Sequence, residues 1–336
     1  MRITICGGGS LGHVCMGVLS QSGNEINVLT NHPEQWSDSV LVEDCHGKIY
    51  EGRLHQVSDN PFDLIPDSDM VLLCLPGFLI EETLRKILPC LKPNTVVGSI
   101  VCSTGFFFFA HEILSKNQKL FGFQRVPFIA RVFEYGKKAK LLGYKKELAI
   151  AVENMTDAVA FKEEIEGLFL TPAKFLNSFY EASLTNSNPI LHTGRLYGLW
   201  RDWQNETYPE CILFYHEWDD YSAQLLIDMD EEFMQLLDKL GVPKGQIPGL
   251  LDYYESTDAA SLAEKLRSIP AFQTIKAPMK ETEKGWIPDF SSRYFTEDFP
   301  FGLKFIRDLA HIHQIETPNI DMVYDWGMSI MNKESI

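Results

Sequence analysis

The chain has 336 residues, of which 45% are hydrophobic and 23% charged, and its formal net charge is −16. That length suits two domains with a large core, and the charge argues against a nucleic-acid backbone or an anionic membrane as partner. No apolar run approaches the ~20 residues that cross a bilayer, and the N-terminus enters a strand without the segments of a signal peptide. The seven cysteines form no C-x-x-C pair, and several sit in apolar runs, so they read as buried thiols of a cytoplasmic protein.

Residues 2–6 form a β-rich run, followed by Gly7-Gly8-Gly9-Ser10-Leu11-Gly12 and a helical pattern over 13–22. In this G-x-G-x-x-G spacing the first glycine makes the turn and the second lets backbone approach a pyrophosphate. The third permits close helix packing, and the helix N-terminus favours the anion. Residues 25–30 read as a second strand ending in Thr30-Asn31-His32-Pro33. An NAD site usually places a carboxylate here for the ribose hydroxyls. With Thr30, Asn31 and His32 instead, a 2′-phosphate meets no repulsion, which tilts the choice between NAD and NADP slightly toward NADP. The competing reading is a plain polar loop.

A strand over 48–54 is expected at the sheet edge after an irregular excursion. The apolar run 69–75 marks a buried parallel strand whose end, Leu75-Pro76, faces the ligand side, and a helix follows over 80–91. A strand over 96–101 precedes the aromatic run 106–109, which reads as a packing surface between domains. Residues 121–134, 139–143, 147–152 and 173–176 look like strands, and 161–170 like a helix. The expected first domain is thus an α/β, Rossmann-type, mostly parallel sheet over residues 1–178.

From 179 to 336 helical patterns dominate: 219–240, stopped by Gly241-Val242-Pro243, and 256–268, capped by Ser256 or Thr257. Residues 276–290 read as a long polar loop. The stretch Asn186-Ser187-Asn188-Pro189-Ile190-Leu191-His192 suits a helix start, with Ser187 or Asn188 as cap and Pro189 in the first turn. Asn188 and His192, four apart, then share a face, and an amide beside an imidazole suits holding a carbonyl and handing it a proton. A packed or solvated histidine is the plainer alternative. A metal site is not expected: His311-x-His313 does not face one way on a helix, and there is no H-E-x-x-H motif or cysteine cluster. Nor is there a G-x-S-x-G elbow.

The G-x-G-x-x-G motif, the Asn-x-Asn-Pro-x-x-His helix start and the segment Arg293-Tyr294-Phe295-Thr296-Glu297-Asp298-Phe299-Pro300-Phe301-Gly302-Leu303 together resemble the octopine/nopaline (opine) dehydrogenases. The similarity covers nearly the whole chain, and Thr317-Pro318 and Leu240-Gly241-Val242 also fit it. It implies a Rossmann-type domain joined to an all-helical domain, with the active site in the cleft between them. It also implies an enzyme that condenses an amino acid with a 2-oxo acid and reduces the imine with NAD(P)H. On this resemblance His192 is the catalytic histidine and Asp298 its acid partner. Arg293 contacts a substrate carboxylate, and Asn188 holds the amide position.

The residue chemistry agrees: imidazole titrates near working pH, a carboxylate fixes its tautomer, and a guanidinium fork matches a carboxylate. A salt bridge from Arg293 to Glu297 or Asp298 is the competing role. Other readings are a 2-oxo acid or ketopantoate-type reductase that needs no amine, and a cofactor-binding sensor without turnover. The expected partners are small-molecule substrates, with a homodimer left open.

Overall fold

The computed structural model describes residues 1–334 and divides into two compact units, Met1–Thr185 and the chain from Asn186 onward. The first unit begins with β1 (Arg2–Cys6), α1 (Ser10–Leu19), β2 (Glu25–Leu29), β3 (Ser39–Asp44), β4 (Ile49–Ser58) and β5 (Met70–Leu73). It continues through α2 (Gly77–Ile87), β6 (Val96–Ser99), α3 (Phe106–Ile113), β7 (Lys119–Phe123) and β8 (Phe128–Glu134). Next come β9 (Lys138–Tyr144), β10 (Leu148–Glu153), α4 (Ala158–Phe169), β11 (Ala173–Phe175) and α5 (Phe179–Ser183).

The strands join in the order β11-β10-β7-β6-β5-β1-β2-β4-β3-β9-β8. β1 lies parallel to β2 and β5, and β5, β6 and β7 continue parallel. Ile3, Ile5, Val71, Leu72 and Leu73 are fully buried, which is why these strands read as unbroken apolar runs. β1 and β5 end side by side, with the Cys74 N–H donating to the Cys6 carbonyl at 2.9 Å. The turns after them, 7–12 and 75–76, therefore share the C-terminal edge of the sheet.

Three expectations for this unit are corrected. The strand expected at the sheet edge over 48–54 is half of an interior hairpin: β3 pairs antiparallel with β4, β4 lies parallel to β2, and β3 lies parallel to β9. β3 was hidden because only Val40, Val42 and Asp44 of its six residues turn inward, too short an alternation to stand out. The stretch 121–134 is two strands, β7 and β8, because Pro127 cannot donate to a ladder. The aromatic run 106–109 opens α3, and its first two rings are core rather than surface. Phe106 and Phe107 are fully buried in this unit's own core, and Phe107 meets Phe179 of α5 at 5.3 Å. α5 belongs to the first unit, which runs to Thr185, where a boundary at 178 was expected.

The second unit contains α6 (Asn188–Trp200), α7 (Asp220–Lys239), α8 (Leu250–Tyr253) and α9 (Ala259–Ser268). The strands β12 (Met279–Thr282) and β13 (Gly285–Pro288) follow, then α10 (Arg293–Thr296), a π-helical turn at Phe299–Leu303, α11 (Lys304–Ile312) and α12 (Pro318–Glu334). The unit is helical but not wholly so, because the loop expected over 276–290 is an antiparallel hairpin. Gly285, at φ +125°, takes up a backbone conformation that a side chain would resist, just after the turn at Glu283-Lys284. α9 is capped by Asp258 in a box with Ser261, not by Ser256 or Thr257. Glu232 of α7 accepts the backbone N–H groups of Asn319 and Ile320, which satisfies the first turn of α12. Among the described residues no helix is long and apolar enough to cross a membrane.

Burial pushes the Asp230 carboxyl up from 3.8 to about 6, with Glu231 and Asp252 adding repulsion against the Leu250 N–H that it accepts. A folded value above the unfolded one means that the fold binds this proton more tightly. Its stabilising contribution is therefore complete below pH ~4 and is lost as pH rises through ~6. Asp230→Asn removes that titration. Urea melts at pH 7.5 should find the variant more stable than the parent by ~1–3 kcal/mol, with the gap closing at pH 4. An equal difference at both pH values would contradict the assignment.

Candidate active site

The turn after β1 is built for close approach. A Cβ at Gly7 would lie 2.6 Å from the Cys74 carbonyl oxygen, and one at Gly12 would lie 2.3 Å from the Gly7 oxygen, so α1 starts against the strand end. Leu75 closes the far side of Gly7, 2.9 Å from the same Cβ position, with Pro76 leading into α2. At Gly9 a Cβ would meet nothing within 4 Å, so the backbone there faces open space. Gly9 caps α1 without a side-chain bond, and the first turn carries no acidic residue. The helix N-terminus is thus free to take an anion. The Ser10 hydroxyl is already engaged, accepting the Val132 N–H at 3.1 Å, which leaves its backbone N–H for a ligand. This cradle fits a dinucleotide pyrophosphate.

His13 holds the cradle from below, a role the sequence reading missed. Its ring is fully buried and stacks on Trp36 at 4.5 Å. Nε2 accepts the Gly136 N–H at 2.8 Å, so Nδ1 carries the proton and donates to the Gly9 carbonyl at 3.0 Å. Burial lowers its pKa, which keeps the imidazole neutral and the tautomer fixed. The only hint in the sequence was its place directly after Gly12.

At the tip of β2, the Thr30 hydroxyl accepts the His32 N–H at 3.4 Å, while Asn31 and His32 are exposed. His32 Nδ1 lies 3.6 Å from Glu34, so the loop after this strand holds a carboxylate a few residues beyond the strand tip.

In the second unit α6 carries Asn188 and His192 one turn apart, on one face. The Asn186 side chain, rather than Ser187 or Asn188, receives a first-turn N–H, that of Asn188 at 3.3 Å. His192 meets Asp298 across 106 residues, Nδ1 to Oδ2 at 2.8 Å, with the side chains 12% and 18% exposed. Gly302 makes the meeting possible. A Cβ there would lie 2.6 Å from Pro189 Cγ, so only glycine lets the π-helical turn settle against the start of α6 and bring Asp298 to the imidazole. Because an ionised Asp298 can only accept, His192 carries its proton on Nδ1 and turns the Nε2 lone pair toward Tyr215 Oη, 3.1 Å away.

Two further contacts fix this corner. Tyr294 lies over the His192 ring at 4.6 Å, and Phe214 meets it edge-on at 5.7 Å. Arg195, one turn beyond His192 and fully buried, donates to the Phe214 and Glu217 carbonyls at 3.1 and 2.7 Å, and so positions the segment that carries Tyr215. Neither Tyr215 nor Arg195 had a sequence signal beyond the dense aromatics around them. Arg293 is bonded to Glu297 rather than to the pair, with Asp298 near enough to act on it through its charge. Its fork closes on Glu297 at 2.7 and 2.8 Å and is 79% exposed, which is the salt bridge weighed as its competing role.

The description "NAD/NADP octopine/nopaline dehydrogenase, alpha-helical domain" matches residues 175–331, and "Ketopantoate reductase PanE/ApbA" matches residues 3–102. The chain is 29% identical to tauropine dehydrogenase of Arabella iricolor, covering 99% of this chain and 92% of the relative. It is 28% identical to opine dehydrogenase of Haliotis discus hannai over 100% and 91% of the two chains. A solved octopine dehydrogenase with NADH and L-arginine superposes at a TM-score of 0.87 with 24% identity, covering 99% and 90%, and shares the fold.

The glycine geometry separates folding from binding. A Cβ at Gly9 would meet no atom within 4 Å and φ there is −78°, so Gly9→Val should melt close to the parent's temperature. Its affinity for NADH and NADPH, read by fluorescence titration, should fall at least ~10-fold, because the side chain fills the pyrophosphate's approach. Unchanged affinity in the folded variant would remove the cradle from the site.

Proposed function

The chain belongs to the octopine/nopaline dehydrogenase family, and from that premise we propose how its residues divide the work of an opine-type dehydrogenase. The reaction couples an amino acid to a small 2-oxo acid and reduces the imine, and it runs backward with oxidised cofactor. Bound NAD(P)H supplies the hydride. Gly7, Gly9 and Gly12 would hold its pyrophosphate with the backbone N–H groups of Ser10 and Leu11. Leu75 and Pro76 would border the same groove, and Thr30, Asn31 and His32 the adenosine end. No part of this requires a metal.

His192 is the proton donor in the reductive direction and the acceptor in reverse. Asp298 fixes its tautomer and stabilises the imidazolium, and its contact with Nδ1 at 2.8 Å is the observation that carries the reading. Arg293 takes the carboxylate of a substrate by exchanging it for Glu297. The Arg293 fork is 79% exposed, so solvent screens its pair with the more covered Glu297, and the exchange costs on the order of 1 kcal/mol or less. Asn188, one turn before His192, offers its amide to the carbonyl oxygen of the 2-oxo acid.

Cofactor choice is finer. The tilt toward NADP rested on a strand tip without a carboxylate, and Glu34 beside His32 offsets it by offering an acceptor for ribose hydroxyls. The ketopantoate reductase description matches residues 3–102, short of the segments that carry His192 and Asp298, whereas the octopine/nopaline description spans both. A cytoplasmic location agrees with the buried free thiols at Cys6, Cys15, Cys74, Cys90 and Cys102.

The test is NADH and NADPH oxidation over amines crossed with pyruvate, glyoxylate and 2-oxoglutarate. Turnover should require the amine, whereas full turnover with the 2-oxo acid alone would make the protein a simple reductase. With the best pair, His192→Asn should lower kcat ~10²–10⁴-fold with folding intact. Asp298→Asn should cost a comparable factor and the double variant little more, because residues acting as a unit are not additive. Fully multiplicative losses would separate the two residues.

A further inference from the structure

The lone pair of His192 Nε2 is already taken. Tyr215 Oη sits 3.1 Å from it, and with Nδ1–H given to Asp298 the hydroxyl is the donor in this contact. A neutral imidazole has one acceptor position, so a substrate and Tyr215 cannot both use it.

Neither ring is placed to swing away. Tyr215 is nearly buried and stacks between Phe272, at 4.2 Å and 23°, and Trp218, at 5.7 Å and 21°. Arg195 pins the backbone on both sides of it through the Phe214 and Glu217 carbonyls. His192 is clamped by Tyr294, Phe214 and Asp298.

We propose that Tyr215 is a catalytic residue that relays the proton between His192 and the reacting substrate atom. This rests on the reading of His192 as the proton donor. In the reductive direction the imine carbon takes the hydride, and the nitrogen takes the proton of the Tyr215 hydroxyl as that O–H bond breaks. The same oxygen takes the proton of the His192 imidazolium, forming a new O–H bond. His192 is left neutral with Nδ1–H still on Asp298, and solvent returns its proton. A hydroxyl suits this place because it accepts from the imidazolium and donates to the neutral ring. Burial holds the phenol's pKa well above its ordinary value, with the nearby Tyr294, Tyr254 and Asp298 adding to it, so phenolate does not accumulate between turnovers.

Tyr215→Phe keeps the ring and its stacking and removes only the hydroxyl. With amine, 2-oxo acid and NAD(P)H, kcat should fall ~10²–10⁴-fold while cofactor affinity and melting temperature hold. The dependence of kcat on the D₂O fraction should be curved in the parent, where two protons move together, and linear in the variant. A Tyr215→Phe enzyme within about threefold of the parent's kcat would overturn the relay. So would a linear dependence in the parent under conditions where proton transfer limits the rate. Should the phenylalanine variant melt lower, 3-fluorotyrosine at position 215 keeps the hydroxyl and lowers its pKa. The relay then requires a changed kcat, and an unchanged one overturns it. His192→Asn inactive with Tyr215→Phe active would sink the relay alone, whereas full activity in both would sink the proton-donor reading beneath it.

Discussion

The hydrogen bond between His192 Nδ1 and Asp298 Oδ2 is the contact around which the second unit is arranged. It joins the first turn of α6 to the residue that starts the π-helical turn, and each side of it is prepared by packing. On one side Pro189 and Gly302 touch so closely that no larger residue fits the glycine's place. On the other, Arg195 draws the 214–222 segment onto α6 with four hydrogen bonds from one buried guanidinium. Both members of the pair are sheltered, so removing either strands a polar group with little water to replace the partner. The geometry is therefore set by the scaffold before any substrate arrives, as proton transfer requires.

The first unit meets a different demand, to bring backbone rather than side chains close to an anion. Its solution is steric. Gly7 and Gly12 are pressed against neighbouring carbonyl oxygens, while Gly9 between them is left open. The neutral His13 ties the Gly9 carbonyl to the turn between β8 and β9, so the strands furthest along the sheet help to hold the loop beside β1.

Much of this was legible from residue order. The buried central strands announced themselves as apolar runs, and the glycine spacing stood where a strand meets a helix. His192 and Asp298 were paired through the family resemblance, and the structure brings their side chains into contact. Other features left no local trace. β3 and β4 carry half-buried alternation that only the neighbouring strands make sense of, and Phe106 and Phe107 look like a surface until α5 covers them. The hairpin at 279–288 reads as polar because Lys280, Glu281 and Thr282 of its first strand are exposed and Glu283 and Lys284 make its turn. Tyr215 and Arg195 were lost among residues of their own kind, since aromatic density says that a core exists without saying which ring meets the imidazole. Arg293 was named from its motif, yet where its fork rests depends on Glu297, which caps the same short helix.

The central claim is that Asp298 fixes which nitrogen of His192 holds the proton, leaving Nε2 to face the hydroxyl and the chemistry. The most direct measurement is the ¹⁵N–¹H correlation spectrum of histidine-labelled protein above the imidazole titration, with His192→Asn used to assign the ring. The account predicts a protonated Nδ1 and an unprotonated Nε2 for His192, with the Nδ1 proton shifted far downfield by the carboxylate and that shift lost in Asp298→Asn. A ring protonated on Nε2, or one whose signals do not respond to Asp298→Asn, would contradict it.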